Sequence, residues 1–168
     1  QSDEVITAGK ELELVPDGSS VAYIGKGHKL YVRTLVEGMM LPSGNDAAYI
    51  IAAAAGRRIL RNENTDAFTA VNAFIDRMNR RAAELGMANT HFSSCTGLDT
   101  ENHYTTARDI ALMSRALMEH REICKFTTIW MDSIRNGSFT LSNTNKLVRF
   151  YEGATGLKTG YTSAAGYC

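Results

Sequence analysis

Leu41-Pro42-Ser43-Gly44-Asn45-Asp46-Ala47-Ala48-Tyr49-Ile50-Ile51-Ala52-Ala53-Ala54-Ala55-Gly56 is the stretch from which the rest of the chain is best read. Past Asp46 the residues are apolar all round. A helix with no polar face has no side to offer water, so it belongs inside a domain, surrounded by other elements. Gly56 is the expected stop. Ahead of it, Tyr31 to Leu41 predicts a helix with Leu35, Val36, Met39 and Met40 in its apolar stripe. Pro42-Ser43-Gly44 leaves only a sharp corner between the two. Ser43, with Asp46 three positions on, fits the N-cap of the buried helix.

Toward the N-terminus the pattern is mixed, with short extended candidates at Glu4 to Thr7 and Ser20 to Ile24. In the other direction, Thr65 to Leu85 predicts an amphipathic helix with Phe68, Val71, Phe74, Ile75, Met78, Ala82 and Leu85 on one face, ended by Gly86. A loop from Met87 to Tyr104 follows. Thr106 and Asp109 form a capping-box pattern that opens a helix over Ala107 to Met118. Beyond His120, Phe126 to Ile134 and Ser138 to Leu141 read as strands joined by a turn at Asn136-Gly137, with another strand around Gly156 to Tyr161. Helices come first and strands late, which predicts the α+β class rather than a doubly wound sheet.

The totals narrow the function classes. The chain has 168 residues, enough for one domain, and 44% hydrophobic content argues against disorder. Lys plus Arg and Asp plus Glu are equal at 18 each, so no overall field favours nucleic acid. The local clusters Arg57/Arg58/Arg61 and Arg77/Arg80/Arg81 read as solvated helix faces. No apolar run approaches the roughly 20 residues of a membrane-spanning helix, and nothing at Gln1 resembles a signal peptide. Cys95, Cys124 and Cys168, odd in number and without close spacing, read as buried free thiols.

Two triplets carry candidate chemistry: Ser43-Gly44-Asn45 and Lys158-Thr159-Gly160. Each has a bland alternative, Ser43 as a helix cap and Lys158 as a solvated lysine in a surface turn. An S-x-N triplet is common by chance, whereas K-T-G arises in roughly one chain of this length in fifty. The blocks around them are more specific. Leu41 to Ala48, Gly86-Met87-Ala88-Asn89-Thr90-His91-Phe92 followed by Gly97-Leu98-Asp99, Tyr104 with Ala107-Arg108-Asp109-Ile110-Ala111, and Gly156 to Thr162 with Ala165-Gly166-Tyr167 occur in that order. Together they resemble the serine D-Ala-D-Ala carboxypeptidases, or low-molecular-mass penicillin-binding proteins, whose motif set is a general one for such enzymes and β-lactamases.

The resemblance implies a partial β-lactamase/transpeptidase-like fold, mostly its helical part plus a few strands, as a single partial domain over 1–168. It implies catalytic roles for Ser43, Asn45 and Lys158 and substrate-binding roles for Thr159, Gly160, Tyr161 and Thr162. Ser43 would pass a proton to the leaving amine, and Asn45 would orient a lysine or hold the substrate amide. Lys158 and Thr159 would receive a free carboxylate. Gly160 would let a peptide lie against the strand, the Tyr161 N–H would be one oxyanion donor, and Thr162 a supporting hydroxyl. The family takes its nucleophile from S-x-x-K, and no serine here has a lysine three positions on. That element is expected before Gln1 and further strands after Cys168, leaving this stretch inactive alone.

The implied substrate is a peptidoglycan stem peptide ending in D-Ala-D-Ala, with β-lactams as covalent ligands, no metal or organic cofactor, and no nucleic acid. An extracytoplasmic location in the cell envelope follows from that substrate. A strand edge left open near Gly156 to Tyr161 predicts either a dimer through that edge or poor order in about the last fifteen residues. Two other readings stand beside this one. A β-lactamase would carry E-x-x-L-N between the second and third motifs, and none is present. A non-catalytic peptidoglycan- or partner-binding domain would need no S-x-x-K. His91 and His103 are read as structural or surface residues rather than general bases, and a carboxylate pair of Asp99 with Asp109 is set aside because Asp109 is already explained as a cap.

Overall fold

The computed structural model describes residues 3–134 and 137–168. In chain order it runs β1 (Val5–Thr7), a short 3-10 helix (Lys10–Leu14), β2 (Lys29–Tyr31), α1 (Val32–Met40) and α2 (Asn45–Leu60). Then come α3 (Ala67–Glu84), α4 (Ala107–Met118), α5 (Arg121–Thr127), β3 (Met131–Ile134), β4 (Phe139–Ser142), the one-turn α6 (Leu147–Phe150), β5 (Tyr161–Thr162) and β6 (Gly166–Tyr167). Among the described residues the strands form three separate antiparallel pairs, β1–β2, β3–β4 and β5–β6. The class is therefore α+β, dominated by helices. No helix among the described residues is long and apolar enough to cross a membrane.

α2 is the centre, and its alanines explain why. On one side Ala52 and Ala53 meet Ala70, Val71 and Ile75 of α3. On another, Ala47 and Ile50 meet Leu35 of α1 and Ala8. Small side chains on α2 let both neighbours approach its backbone closely. A third cluster joins Met40 and Leu41 to Ile134 and Leu141 of the β3–β4 hairpin. Leu35, Leu41, Ile50 and Leu141 are fully buried, each contributing about 1.5–3 kcal/mol from surface removed from water.

Several expectations need correction. α2 does not stop at Gly56 but continues to Leu60 and ends on Arg61, whose φ of 52° is left-handed. Gly56 is instead a contact residue, since a Cβ there would lie 1.8 Å from the Ala70 carbonyl oxygen. Phe126 and Thr127 lie in α5 rather than in a strand, with the Thr127 hydroxyl donating to Cys124 O and Phe126 packed against the third cluster. The Asn136 half of the expected turn lies outside the described residues. Ser20 to Ile24 forms no strand. Its backbone pairs with the start of α2, described below. Arg57 is not on a solvated face either, because it pairs with the buried carboxylate of Glu11 at 3.5 Å and donates to Thr65 O. Cys168 is exposed and Cys95 and Cys124 are half-buried, which corrects in part the expectation of buried thiols.

The α3 and α4 starts show local rules at work. Asp66 caps α3 by accepting from Thr69 N at 2.9 Å, and Thr106 caps α4 by accepting from Asp109 N at 3.2 Å. The reciprocal half of the expected capping box is missing. The buried Asp109 carboxylate instead accepts from Asn89 N and Thr90 Oγ1 at 2.8 and 2.7 Å, which fastens the 87–104 loop to α4.

Candidate active site

The corner between α1 and α2 is built by backbone contact. Gly44 N donates to Gly38 O at 2.9 Å, folding the chain back on the last turn of α1. To make that reversal Ser43 takes a left-handed φ of 62°. The N-cap of α2 is Gly44, with no side-chain cap bond, so the expectation that Ser43 caps the helix is corrected. Among the described residues the Ser43 hydroxyl has no hydrogen-bond partner and lines a cleft.

Asn45 and Asp46 stitch the preceding loop to this corner. Asp46, almost fully buried, accepts from Ala22 N at 2.8 Å and Ile24 N at 2.9 Å. The Asn45 backbone and its Nδ2 both donate to Ser20 O, at 2.8 and 3.0 Å. That leaves one Nδ2 hydrogen and the Oδ1 acceptor for other partners. Ser20 O, Ala22 N and Ile24 N thus find their partners on the start of α2 rather than on a neighbouring strand.

Lys158 approaches from the far end of the chain. Its ammonium donates to Thr159 O at 2.7 Å and to Thr144 Oγ1 at 3.2 Å. Thr144 and Thr159 share a hydroxyl contact of 2.7 Å, and Thr144 N donates to Leu41 O at 3.0 Å. Thr144 thus ties the lysine to the residue two positions before Ser43. Burial holds the Lys158 ammonium below the ordinary lysine range, because a desolvated cation is disfavoured unless it gains a counter-charge. No carboxylate pairs with it among the described residues.

The expected strand at Gly156 to Tyr161 shortens to Tyr161–Thr162. Gly156, at φ +120° and with a would-be Cβ only 2.6 Å from Thr127 Cβ, turns the chain out of the extended region. Gly160 still exchanges both backbone hydrogen bonds with Cys168, at 3.1 and 2.9 Å. In an antiparallel ladder hydrogen-bonded and open pairs alternate, so Tyr161, opposite Tyr167, turns its N–H and C=O away from β6.

Ser43, Asn45 and Lys158 line one cleft of about 400 Å³ together with Thr159, Gly160, Tyr161 and Thr162. Gly97 and Leu98 form part of its wall. An adjoining recess of about 190 Å³ shares Ser43, Asn45 and Lys158 with it and is lined by Met40, Ala48 and Cys95. Burial pushes the Cys95 thiol up to about 11. A larger hollow of about 680 Å³ opens between β2, α1 and β3, lined by Arg33, Glu37 and Asp132, and contains none of the motif residues. There burial and the charge of Asp132 raise the Glu37 carboxyl.

The histidines stay outside the cleft. His91 Nδ1 contacts Asn102 O at 2.7 Å, and His103 Nδ1 accepts from Ser93 N at 3.1 Å, so each organises the 87–104 loop. Burial lowers His103 below the usual histidine value. Among the described residues no three His, Cys, Asp or Glu side chains gather as a metal site would need. Sequence reading missed Thr144, whose Asn-Thr-Asn setting signals a turn and says nothing of a distant lysine. It also missed the Ser20 carbonyl and Thr96. Chemically, the cleft offers an unengaged hydroxyl, an amide and a desolvated cation, a set suited to an amide bond beside a free carboxylate.

Comparison with known proteins agrees with this arrangement. A family model described as D-alanyl-D-alanine carboxypeptidase matches residues 1–168. The D-alanyl-D-alanine carboxypeptidase DacF of Bacillus subtilis is 35% identical over 170 residues, covering 99% of this chain and 40% of the relative. A D-alanyl-D-alanine carboxypeptidase of Streptomyces sp. (strain K15) is 36% identical over 163 residues, covering 92% of this chain and 54% of the relative. The crystal structure of the Streptomyces K15 DD-transpeptidase superposes with a TM-score of 0.87 at 33% identity, over 100% of this chain and 66% of that one. The chain thus spans about two fifths to one half of the curated relatives' length, and its partial transpeptidase-like fold is shared with the solved structure. On the full-length match of the family model and on these relatives, the chain belongs to the D-alanyl-D-alanine carboxypeptidase family of serine peptidases.

Proposed function

We propose that this chain supplies two of the three catalytic elements of a serine D-Ala-D-Ala carboxypeptidase. The whole protein would remove the terminal D-alanine from peptidoglycan stem peptides through an acyl-enzyme and would bind penicillin. The observation that carries the proposal is the meeting of Ser43, Asn45 and Lys158 in one cleft from positions more than a hundred residues apart. Lys158, desolvated and without a carboxylate partner, gains most from a substrate that brings its own C-terminal carboxylate. Thr159 adds a hydroxyl to that carboxylate. The Ser43 hydroxyl, free to donate and accept, relays a proton to the departing D-alanine amine, while Asn45 holds the scissile amide. The Tyr161 N–H, turned away from β6, serves as an oxyanion donor.

The nucleophile and its base come from an S-x-x-K element that none of this chain's serines provides. The residues present need no metal or organic cofactor for their roles. The work is extracytoplasmic, where cell-wall stem peptides lie, and bears on cell shape. The open edge of the β5–β6 hairpin is the proposed dimer contact of this stretch, and a monomer by light scattering at high concentration would remove it.

The test is intact-protein mass spectrometry after incubation with benzylpenicillin. The full-length protein should gain one acyl adduct, and this chain alone should gain none. An adduct on this chain that disappears in Ser43→Ala would make Ser43 the nucleophile and overturn the assignment. No adduct on the full-length protein would favour the second reading, a non-catalytic peptidoglycan-binding domain.

A further inference from the structure

We propose that Asp99 is a positioning residue of this cleft: its carboxylate clamps the β5–β6 hairpin to the opposing loop and fixes how far the two walls stand apart. The proposal rests on the acyl-transfer reading above and adds a residue to it.

The hairpin needs such an anchor. Its strands are two residues each, and an isolated two-stranded hairpin is marginal in water. Yet it carries Gly160, Tyr161 and Thr162 on the cleft wall. Thr162 Oγ1 donates to Asp99 Oδ1 at 2.8 Å across 63 residues of chain, and Ala164 N approaches Asp99 Oδ2 at 3.4 Å. The same Thr162 hydroxyl accepts from Ala165 N at 3.0 Å, so its donor and one acceptor site are both committed and its rotation is fixed. Among the described residues, Asp99 is the one group outside residues 160–168 that hydrogen-bonds to them.

Asp99 can act as a clamp because its own loop is fastened. Thr100 Oγ1 and Glu101 O both contact Ser93 Oγ, at 2.7 and 2.9 Å. The neighbouring Phe92 exchanges two bonds with the Asn79 side chain of α3, at 2.8 and 2.7 Å. A continuous path of hydrogen bonds and short covalent steps therefore runs from α3 through Ser93 and Asp99 to the hairpin. Gly97 and Leu98, immediately before Asp99, form the facing wall. The carboxylate thus sits where the two walls meet. Among the described residues no cation pairs with it, so its role is acceptance from the hairpin.

Without the clamp the hairpin is free to swing, carrying the Tyr161 N–H and the Lys158-Thr159-Gly160 run out of register with Ser43 and Asn45. Misplacement by about 1 Å costs a reacting geometry on the order of a hundredfold in rate. A loosened wall weakens initial binding far less, because the carboxylate contact of Lys158 is long-ranged.

The experiment is stopped-flow acylation of the full-length protein by a chromogenic cephalosporin, separating the acylation rate constant from the dissociation constant of the first complex. Asp99→Ala is expected to lower the rate constant about 10- to 100-fold while the dissociation constant moves less than about threefold. Asp99→Asn keeps an acceptor for Thr162 and should recover most of the rate. Hydrogen exchange at Ala164 and Ala165 should quicken in Asp99→Ala, with the α3 amides unchanged. An acylation rate constant in Asp99→Ala equal to that of the unsubstituted protein overturns the proposal, as does an equal loss in the Ala and Asn variants. If the unsubstituted protein does not acylate at all, the acyl-transfer reading fails instead. The clamp is then decided by exchange alone, and unchanged protection of Ala164 and Ala165 in Asp99→Ala overturns it.

Discussion

Gly44→Ala would test how tightly the Ser43 corner is built. The backbone of Gly44, at φ −67° and ψ 111°, suits alanine without strain. Were there room, the substitution should raise stability by about 0.4–1 kcal/mol by restricting the unfolded chain. There is no room. A Cβ would lie 2.6 Å from Gly38 O, 2.8 Å from Asp46 Oδ1 and 3.0 Å from Ala22 Cβ. Reaching about 3.3 Å, the short end of ordinary carbon–oxygen approach, needs an opening of roughly 0.7 Å. The Gly38 oxygen is backbone and holds Gly44 N. The Asp46 carboxylate holds Ala22 N and Ile24 N. Neither can rotate aside without breaking bonds, so the corner itself must move. Overpacking of this kind costs about 1–3 kcal/mol, and a domain of this size loses about 2–4 °C in Tm for each kcal/mol. Urea and thermal unfolding of this chain should therefore show a loss of about 2 kcal/mol and roughly 4–8 °C. In the full-length protein, benzylpenicillin acylation should slow by about tenfold as Ser43 and Asn45 shift. The sign decides the matter: a Gly44→Ala chain more stable than its parent would show that the corner has slack and refute the argument.

Two further predictions use the ionisable groups of the recess. Because burial lowers Lys158, the folded chain gives up that proton at a lower pH than the unfolded chain. Between that lower value and 10.5 the unfolded state binds the extra proton, so stability rises with pH across the window. The stability of the unsubstituted chain minus that of Lys158→Met should accordingly climb with pH from the lowered Lys158 value up to 10.5, and a flat difference in parallel urea titrations would contradict the desolvation of Lys158. Cys95, pushed up to about 11, is roughly 0.1% thiolate at pH 8, and the thiolate is the reactive form. Ellman's reagent should therefore label the exposed Cys168 long before Cys95, and Cys95 labelled at the rate of Cys168 in the folded chain would mean that the recess is open.

What the sequence by itself determined follows from signals that are local. The apolar run after Asp46 identified a buried helix because a helix with no polar face has one environment open to it, and α2 lies at the centre of the core. Periodicity placed α1, α3 and α4 within a few residues, and the Thr106 cap was legible because capping involves only the next turn. The two triplets were legible as text, and the four ordered blocks named the family. Tertiary contacts decided the rest. Gly56 looked like a stop until Ala70 stood against it. Ser43 looked like a cap until the bond from Gly44 to Gly38 turned it left-handed and freed its hydroxyl. Asp109 gave its carboxylate to another loop, and Ser20 to Ile24 to the start of α2. Thr144 and Asp99 carry no local mark at all, because each acts on residues 14 or more positions away. A sequence pattern reports which environment a residue can tolerate, whereas hydrogen-bond partners distant along the chain are chosen only when packing brings them together.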